Sequence, residues 1–587
     1  MSKTRLLDFT IESLQHEFEK SENCQILSVS DFHARGYPKV EGVVWEIETE
    51  LGVHGVSRDV VFFIHFADDF PITKPKVFLG KAFYEEFKYL PHVNYDLSVC
   101  VFDEGINQRL PNSKQDLIQV LQFLLSRAKL EVSKGVHDSE YRNREFDREF
   151  KAYFEISTGP KDQYDRSGLH SISEPPNANT VLKGIRFINV FQSRYEFFVS
   201  DNEADYEHFK SYLAPQGIQY EEIEVFYIAK PFASPPFTTT YKESVELLRK
   251  DKDLYLKFKQ FANKSSWNNL LVMFGSTEEG NTDYFGWTYA RPELRITGAA
   301  RTRSVIEKMS GFPIGDSYHV KRCGFENISA TRLQTRTTGY LEEKVSVAVT
   351  GLGSVGSNLV HWLRNLPIDK FHFIDQETLT VENINRHLLG FKDVNYPKAE
   401  QLARHVSSIS PMLKTGFKND SVFNVLKGSP EFIDDCDFHF IAVGSSAVEE
   451  YILKCGVDGI LTKPMILLWV EPYLASGQAV IVYPEHFSRA ISLINGFGYH
   501  VLQREQQDKT YLVEGGCQTG YYPYSSTYLT QFLSAIFNDL KSFVANETQE
   551  SRLVTWVGDK QLLVSKGLEL TEFGHAHESF SITSKSL

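Results

Sequence analysis

Residues 344–363, KVSVAVTGLGSVGSNLVHWL, constrain this chain more than any other stretch. Val345, Val347 and Val349 alternate along an apolar run, which predicts a strand. Gly351, Gly353 and Gly356 follow at once in G-x-G-x-x-G spacing. Leu359, Trp362 and Leu363 then give the next segment an apolar helical stripe. Strand, glycine turn and helix together make a nucleotide cradle. The glycines allow a tight turn and close backbone approach, and the helix N-terminus faces phosphate. A second strand, FHFID, ends in Asp375, where a ribose-binding acid belongs in such a unit. A glycine fingerprint by itself leaves a purely structural turn open as the alternative.

Two later features turn the reading away from a nicotinamide cofactor. Asn383 and Arg386 lie in ENINRH, and Lys398 lies in YPKAE. Hydride transfer needs no basic pair beside the phosphates. Cleavage of ATP at its α-phosphate does, because negative charge builds on oxygen as pyrophosphate leaves. With the glycine turn and Asp375, this set resembles the ThiF-like adenylating fold of ubiquitin-activating enzymes, over residues 330 to 545. The resemblance implies a Rossmann-type adenylation domain at 329–587 that uses ATP and Mg2+. It also implies a homodimer in which an upstream arginine reaches the partner's ATP site. Arg332 and Arg336 precede the first strand, and Arg336 is the better placed; a solvated surface arginine is the competing reading. The family carries a magnesium-holding aspartate after the strand FHFIAV, where this chain has Gly444, Ser445 and Ser446. Asp435 and Asp437 lie at the other end of that strand. Glu449 or a serine with the phosphates is the substitute, and a weakened site stays open.

Residues 1–155 read as an α+β domain: a helix, the strand-like runs GVVWEIETE and VVFFIHFAD, a proline turn FPITKPKVF, then PHVNYDLSVCVF and a long helix with Leu117, Val120, Leu121 and Leu124 in register. This order resembles a ubiquitin-conjugating enzyme, with His92-Val93-Asn94 standing for its H-P-N tripeptide and Cys100 for the active thiol. In that role Cys100 is the nucleophile, Asn94 offers an amide donor to the tetrahedral oxyanion, and His92 counts with them among the catalytic residues that the resemblance implies. Valine in place of proline and a short Asn-to-Cys gap are departures from the family pattern. A buried small apolar residue is the other reading of Cys100.

Residues 156–180, rich in Gly, Pro, Ser and charge, read as a linker that lets the first domain travel. Strand-like runs return at 181–328, around a helical stretch at 242–262. This region reads as a middle α/β domain for packing, dimerisation or target recognition. A degenerate adenylation-like fold is a form that the resemblance allows for it.

A second thiol stands in EGGCQTGYYPYSS. The glycines before Cys517 leave it unobstructed, and the segment resembles the cysteine motif of prokaryotic ubiquitin-activating enzymes through Cys517, Pro523 and Tyr524. An ordinary loop cysteine is the alternative. An ATP cradle and two thiols outline a relay. Adenylation gives a carboxylate a good leaving group, Cys517 captures the acyl group, Cys100 receives it by exchange, and a lysine amine of a target protein takes it. The order, conjugating part first, resembles the activating–conjugating fusions of bacterial CBASS anti-phage operons. That resemblance implies a cGAS-like nucleotidyltransferase as the conjugated protein. A sulfur-carrier adenylyltransferase and a non-catalytic scaffold are the competing classes.

Composition sets outer bounds. Net charge is −14 over 587 residues, which carries no bulk basic footprint, so nucleic acid is not an expected partner. Six cysteines are scattered without a C-x-x-C pair, so no structural zinc is expected. The charged, amphipathic N-terminus does not read as a signal peptide, and no apolar run reaches the roughly 18 residues of a membrane span. No membrane partner and a reducing cytoplasm are the expectation.

Overall fold

The computed structural model describes residues 11–20, 22–53, 55–70, 72–101, 113–149, 154, 163–164, 168–174, 176–189, 194–214, 217–229, 240–264, 270–278, 281–289, 319–513 and 520–587. It shows the mixed α/β and α+β multidomain class. The chain divides into two compact units, residues 1–206 with 218–329, and residues 207–217 with 330–587.

In the first unit, β1 (Asn23–Leu27), β2 (Val43–Val53), β3 (Val56–Phe66), β4 (Lys76–Leu79) and β5 (Ser98–Val99) form one antiparallel sheet in sequence order. Alternation gives it two apolar faces. Trp45, Ile47, Phe62, Ile64, Val77 and Leu79 meet the helix Lys114–His137 through Leu117, Leu121, Leu124, Leu125 and Val132. Their neighbours Val44, Phe63 and Phe78 pack instead on Phe32 and Tyr37. Ser113 caps the long helix by accepting the Asp116 N–H at 3.1 Å. The irregular crossing from β4 to β5 carries His92 and Asn94, and Cys100 directly follows β5.

The described part of the stretch expected as a linker contributes strands instead. β6 (Gln163–Tyr164) and β7 (Gly168–Ser171) join a sheet with β8 (Thr180–Asn189), β9 (Arg194–Ser200), β10 (Tyr220–Ile228), β11 (Leu270–Glu278), β12 (Asn281–Tyr289) and β13 (Lys321–Asn327). β7 runs parallel to β9 and to β13, and β12 closes on β13 through Tyr284↔Phe325 and its neighbours. Seven strands, β7-β9-β8-β10-β11-β12-β13, therefore form a ring. Leu169, Leu182, Phe197, Val199, Val225, Tyr227, Leu271, Met273, Tyr284, Cys323 and Phe325 make its inner cluster. A degenerate adenylation-like fold is thus not what the middle region forms. Hairpin pairings β8–β9 and β11–β12 replace the parallel crossovers that such a fold requires.

The outer face of β10, β11 and β12 buries Phe226, Val272, Phe274, Phe285 and Trp287 against the helices Tyr241–Arg249 and Lys252–Lys264. The expected single helix at 242–262 breaks between these two. Phe146 and Phe154, which follow the conjugating-like sheet, belong to this same core. Phe154 is buried, with ring centroids 5.7 Å from Phe274 and 5.6 Å from Phe285, and the Arg322 guanidinium lies 5.2 Å above it. Residue 154 is therefore an anchor and not the start of a free tether.

In the second unit the sheet order is β16-β15-β14-β17-β18-β19-β22-β23, from β14 (Val345–Thr350), β15 (Ile368–Ile374), β16 (Lys414–Lys418), β17 (Phe438–Ile441), β18 (Met465–Val470), β19 (Ser476–Val482), β22 (Arg552–Val557) and β23 (Ile582–Ser586). A separate hairpin pairs β20 (Leu512–Val513) with β21 (Gly520–Tyr521). The first five strands of the large sheet are parallel, and β14 lies between β15 and β17. That places the topological switch point at the C-terminal end of β14, where the glycine turn sits. The C-terminal segment 546–587 supplies β22 and β23 to this sheet. Leu529, Phe532, Leu533, Ile536 and Leu540 enter its core, on two helices, Ser526–Ala535 and Phe537–Val544.

Replacing Phe154 by alanine should cost about 3 kcal/mol, the usual scale for emptying a buried phenylalanine site. Amide exchange in β11 and β12 should accelerate; unchanged exchange would show that residue 154 anchors nothing.

Candidate functional site

The glycine turn is fixed by contacts that leave its outer side open. Gly351 has φ +84°, and a Cβ there would lie 2.6 Å from the Ala442 carbonyl oxygen. A Cβ on Gly356 would lie 1.9 Å from the Gly351 oxygen. A Cβ on Gly353 would meet nothing within 4 Å. The first and third glycines thus serve close packing, and the second faces open space at the N-terminus of the helix Ser354–Leu363. That is the geometry by which backbone N–H groups receive an anion.

The other cradle residues converge here. Asp375 accepts the Leu352 N–H at 2.6 Å and the Glu377 N–H at 2.8 Å. Burial raises its carboxyl above the ordinary range, opposed by those two amides and by Lys398. Lys398 is buried, and its Nζ donates to Glu377 Oε2 at 2.6 Å. Arg386 donates from Nε to Ser354 Oγ at 3.1 Å, and Asn358 Nδ2 donates to the Arg386 carbonyl at 2.9 Å. Asn383 takes a different part: its carbonyl accepts the Arg386 N–H at 3.0 Å and its side chain accepts from Thr380 Oγ1 at 3.2 Å, so it shapes the turn that presents Arg386. Arg336 sits exposed on the helix Ala330–Thr338, none of whose residues is buried.

Three contributors were not singled out from the sequence. Ser354 lies inside the glycine motif and Glu377 two residues past Asp375, so both were within sight of the pattern. His387, next to Arg386, accepts the Leu389 N–H on Nδ1 at 3.0 Å and therefore donates from Nε2 to the Leu352 carbonyl at 2.7 Å. Burial pushes its imidazolium down to about 4, so it holds the turn as a neutral ring.

Glu449 does not offer itself to a cation. It is buried and receives the backbone N–H groups of Gly444 and Ser445, and burial pushes its carboxyl up to about 7. Its Oε1 has no hydrogen-bond partner in the structure. Asp437 accepts the Ser346 N–H and O–H, each at 2.7 Å, at the start of β14 and so at the far end from the glycine turn. Ser445, after the strand Phe438–Ile441, N-caps the helix Ser446–Val457 without a side-chain capping bond.

Cys100 is exposed, and its N–H donates to the His92 carbonyl at 2.7 Å. Asn94 Nδ2 donates to Ser98 Oγ at 2.9 Å, which commits one of its two amide hydrogens to the turn. His92, with φ +60°, is buried with its ring turned toward the helices. Nε2 lies 3.4 Å from Glu145 and Nδ1 3.4 Å from Glu149, with Glu131 at 4.0 Å. The expectation of a catalytic His92 is corrected accordingly: its carbonyl, not its ring, meets the Cys100 backbone. His92, Glu145 and Glu149 are close enough to hold a metal ion. The two carboxylates address opposite ring nitrogens, however, which is the arrangement of a clamp around the ring, since a metal takes one nitrogen. Cys517 lies outside the described residues, between β20 and β21.

Residues 334–517 match the ThiF family model, and residues 20–160 match that of prokaryotic E2 family B. The chain is 25% identical over 197 residues to the SUMO-activating enzyme subunit uba-2 of Caenorhabditis elegans, covering 33% of this chain and 31% of that one. It is 32% identical over 105 residues to tRNA threonylcarbamoyladenosine dehydratase 2 of Saccharomyces cerevisiae, covering 16% and 24%. These matches span less than a third of the length of either relative. Among solved structures, E. coli MccB with ATP aligns at 13% identity and TM-score 0.27, covering 43% of this chain and 66% of that one. Among the described residues no helix is long and apolar enough to cross a membrane.

Gly356→Ala should lower the thermal midpoint and Gly353→Ala should not, since only the former forces a backbone clash. Equal midpoints for the two would contradict the assignment. The unfolded chain protonates His387 near the ordinary 6.5, and the folded chain only near 4. Its contribution is therefore full above pH 6.5 and lost as pH falls toward 4. Unfolding titrations of His387→Gln should lose this part of the acid limb, on the order of 2–3 kcal/mol by pH 4.

Proposed function

We propose that this chain, which joins a ThiF-family domain to a domain of prokaryotic E2 family B, is an ATP-dependent enzyme of ubiquitin-like conjugation. The observation that carries the reading is the presence on one chain of an open glycine turn flanked by Arg386 and Lys398 and of an exposed thiol, Cys100, at the end of a conjugating-type sheet.

A carboxylate is a poor acyl donor because its leaving group is oxide. In the first step a carboxylate oxygen of the partner protein attacks the α-phosphorus of ATP, and pyrophosphate departs with the bonding electrons. The helix N-terminus, Arg386 and Lys398 offset the charge that builds on the phosphate oxygens. Lys398 exchanges its Glu377 partner for phosphate in doing so. Ser445 would help to hold a magnesium ion, which when bound would supply further charge neutralisation on the phosphates. The Cys517 thiolate then attacks the acyl carbon, a C–S bond forms, and AMP leaves. Thiol exchange moves the acyl group to Cys100, and a target lysine amine displaces that sulfur to give an isopeptide bond.

Family resemblance names the activated partner, a cGAS-like nucleotidyltransferase of an anti-phage operon, and supports a homodimer in which Arg336 reaches the neighbouring cradle. Because residues 163–164 and 168–171 lie in the barrel sheet, the handover from Cys517 to Cys100 does not draw on that stretch as slack. The inward turn of Glu449 favours a second reading, a scaffold with a relic adenylation site.

Incubation with ATP and the carboxyl substrate should give ATP–pyrophosphate exchange, and a null result would support the scaffold. Cys517→Ala should keep exchange and abolish the adduct on Cys100, while Cys100→Ala should keep the Cys517 adduct. Mass spectrometry finding an adduct on Cys100 in the Cys517→Ala protein would overturn the order of the relay.

A further inference from the structure

Arg386 carries two contacts that the conjugation chemistry does not by itself demand. Its Nε is spent on Ser354 Oγ, inside the glycine turn, at 3.1 Å. Its guanidinium carbon lies 5.1 Å from the ring centroid of Tyr524. Tyr524 is distant in sequence and follows the Cys517 segment. Among the described residues no acid pairs with Arg386, so its terminal nitrogens remain for another anion.

The platform under the guanidinium is rigid. The Pro523 carbonyl accepts the Tyr473 N–H at 2.7 Å. Tyr473 and Leu474 both hold left-handed φ values, 56° and 52°. Non-glycine residues keep such a conformation where their surroundings over-determine it. Here the buried carboxylate of Glu471 does so. It receives Ser476 Oγ at 2.7 Å, the Val501 N–H at 3.0 Å and the Leu502 N–H at 2.9 Å. Tyr524 itself packs partly against the main core of this unit.

We propose that Tyr524 is a positioning residue of the adenylation step, its ring holding the Arg386 guanidinium flat against the glycine turn so that the two terminal nitrogens fork onto ATP phosphate. The physical reason is order. A free arginine loses rotamer freedom when it binds, and an aromatic face removes that freedom beforehand while leaving the in-plane donors unobstructed. The inference rests on the reading that Arg386 meets the phosphates of ATP. It places a residue C-terminal to the thioester segment inside the first half-reaction, which needs no thiol.

The test is calorimetric binding of ATP to the full chain, with no turnover required. Tyr524→Leu should weaken binding about three- to tenfold, the range expected for one partly desolvated cation–π contact. Tyr524→Phe should bind within about twofold of wild type, because it keeps the ring face. Tyr524→Leu added to Arg386→Ala should cost nothing further. Pentafluorophenylalanine at 524 keeps the shape of the ring and inverts its quadrupole, so it should behave like leucine; this variant decides the matter should the leucine protein not fold. Wild-type affinity in the leucine or pentafluoro protein, or additive losses in the double variant, would overturn the role of Tyr524 and leave the proposed function standing. Failure of the wild-type chain to bind ATP would remove the proposed function and this inference with it.

Discussion

The approach of Gly356 to the carbonyl of Gly351 is the contact on which the second unit is hung. With a Cβ position 1.9 Å from that oxygen, no other residue fits without moving the turn. The closeness brings the helix Ser354–Leu363 down onto β14 and sets its first amides at the end of the sheet. Asp375 then reaches the Leu352 amide, and His387 reaches the Leu352 carbonyl, so one residue of the turn is held from both sides. Everything assigned to ATP hangs from this arrangement: Arg386 from Ser354, and Lys398 from the strand end that carries Asp375 and Glu377.

Much of this was legible because it is local. Alternating valines, spaced glycines and an apolar helical stripe lie within twenty residues and each has one dominant reading. The Cys100 turn was legible through residue order, although the sequence could not show which way His92 faces. That direction follows from a left-handed backbone at residue 92 and from Glu145, on a helix some fifty residues later, and Glu149 at that helix's C-cap. The supposed linker misled for a related reason. Gly, Pro and Ser mark the absence of a helix, but Gly168–Ser171 becomes a strand through pairing with β13, contributed by residues far downstream. Pairing at that separation leaves no trace in local composition. The stacking of Tyr524 on Arg386 was invisible for the same cause, although both residues had been noted separately.

The two buried carboxylates of the second unit illustrate how environment, and not residue type, decides a role. Glu471 is saturated with donors and fixes a strained turn. Glu449 is equally buried but keeps an oxygen without a hydrogen bond and is pushed toward its neutral form. A count of acids near the cradle would have treated them alike. The clamp of Glu145 and Glu149 around His92 is a third case, in which paired acids organise a backbone turn instead of touching the reacting thiol.

The closed ring of the middle region restricts how a target can be read there. Each of its seven strands has a neighbour along both flanks. Among the described residues an extended peptide therefore finds no vacant edge on these seven strands, the two-residue β6 alone ending the sheet, and such an edge is how many peptide-binding domains gain main-chain affinity. Selectivity for an acceptor, if this region supplies it, must come from side chains on its helices and connections, and so can drift from one acceptor to another without disturbing the barrel beneath.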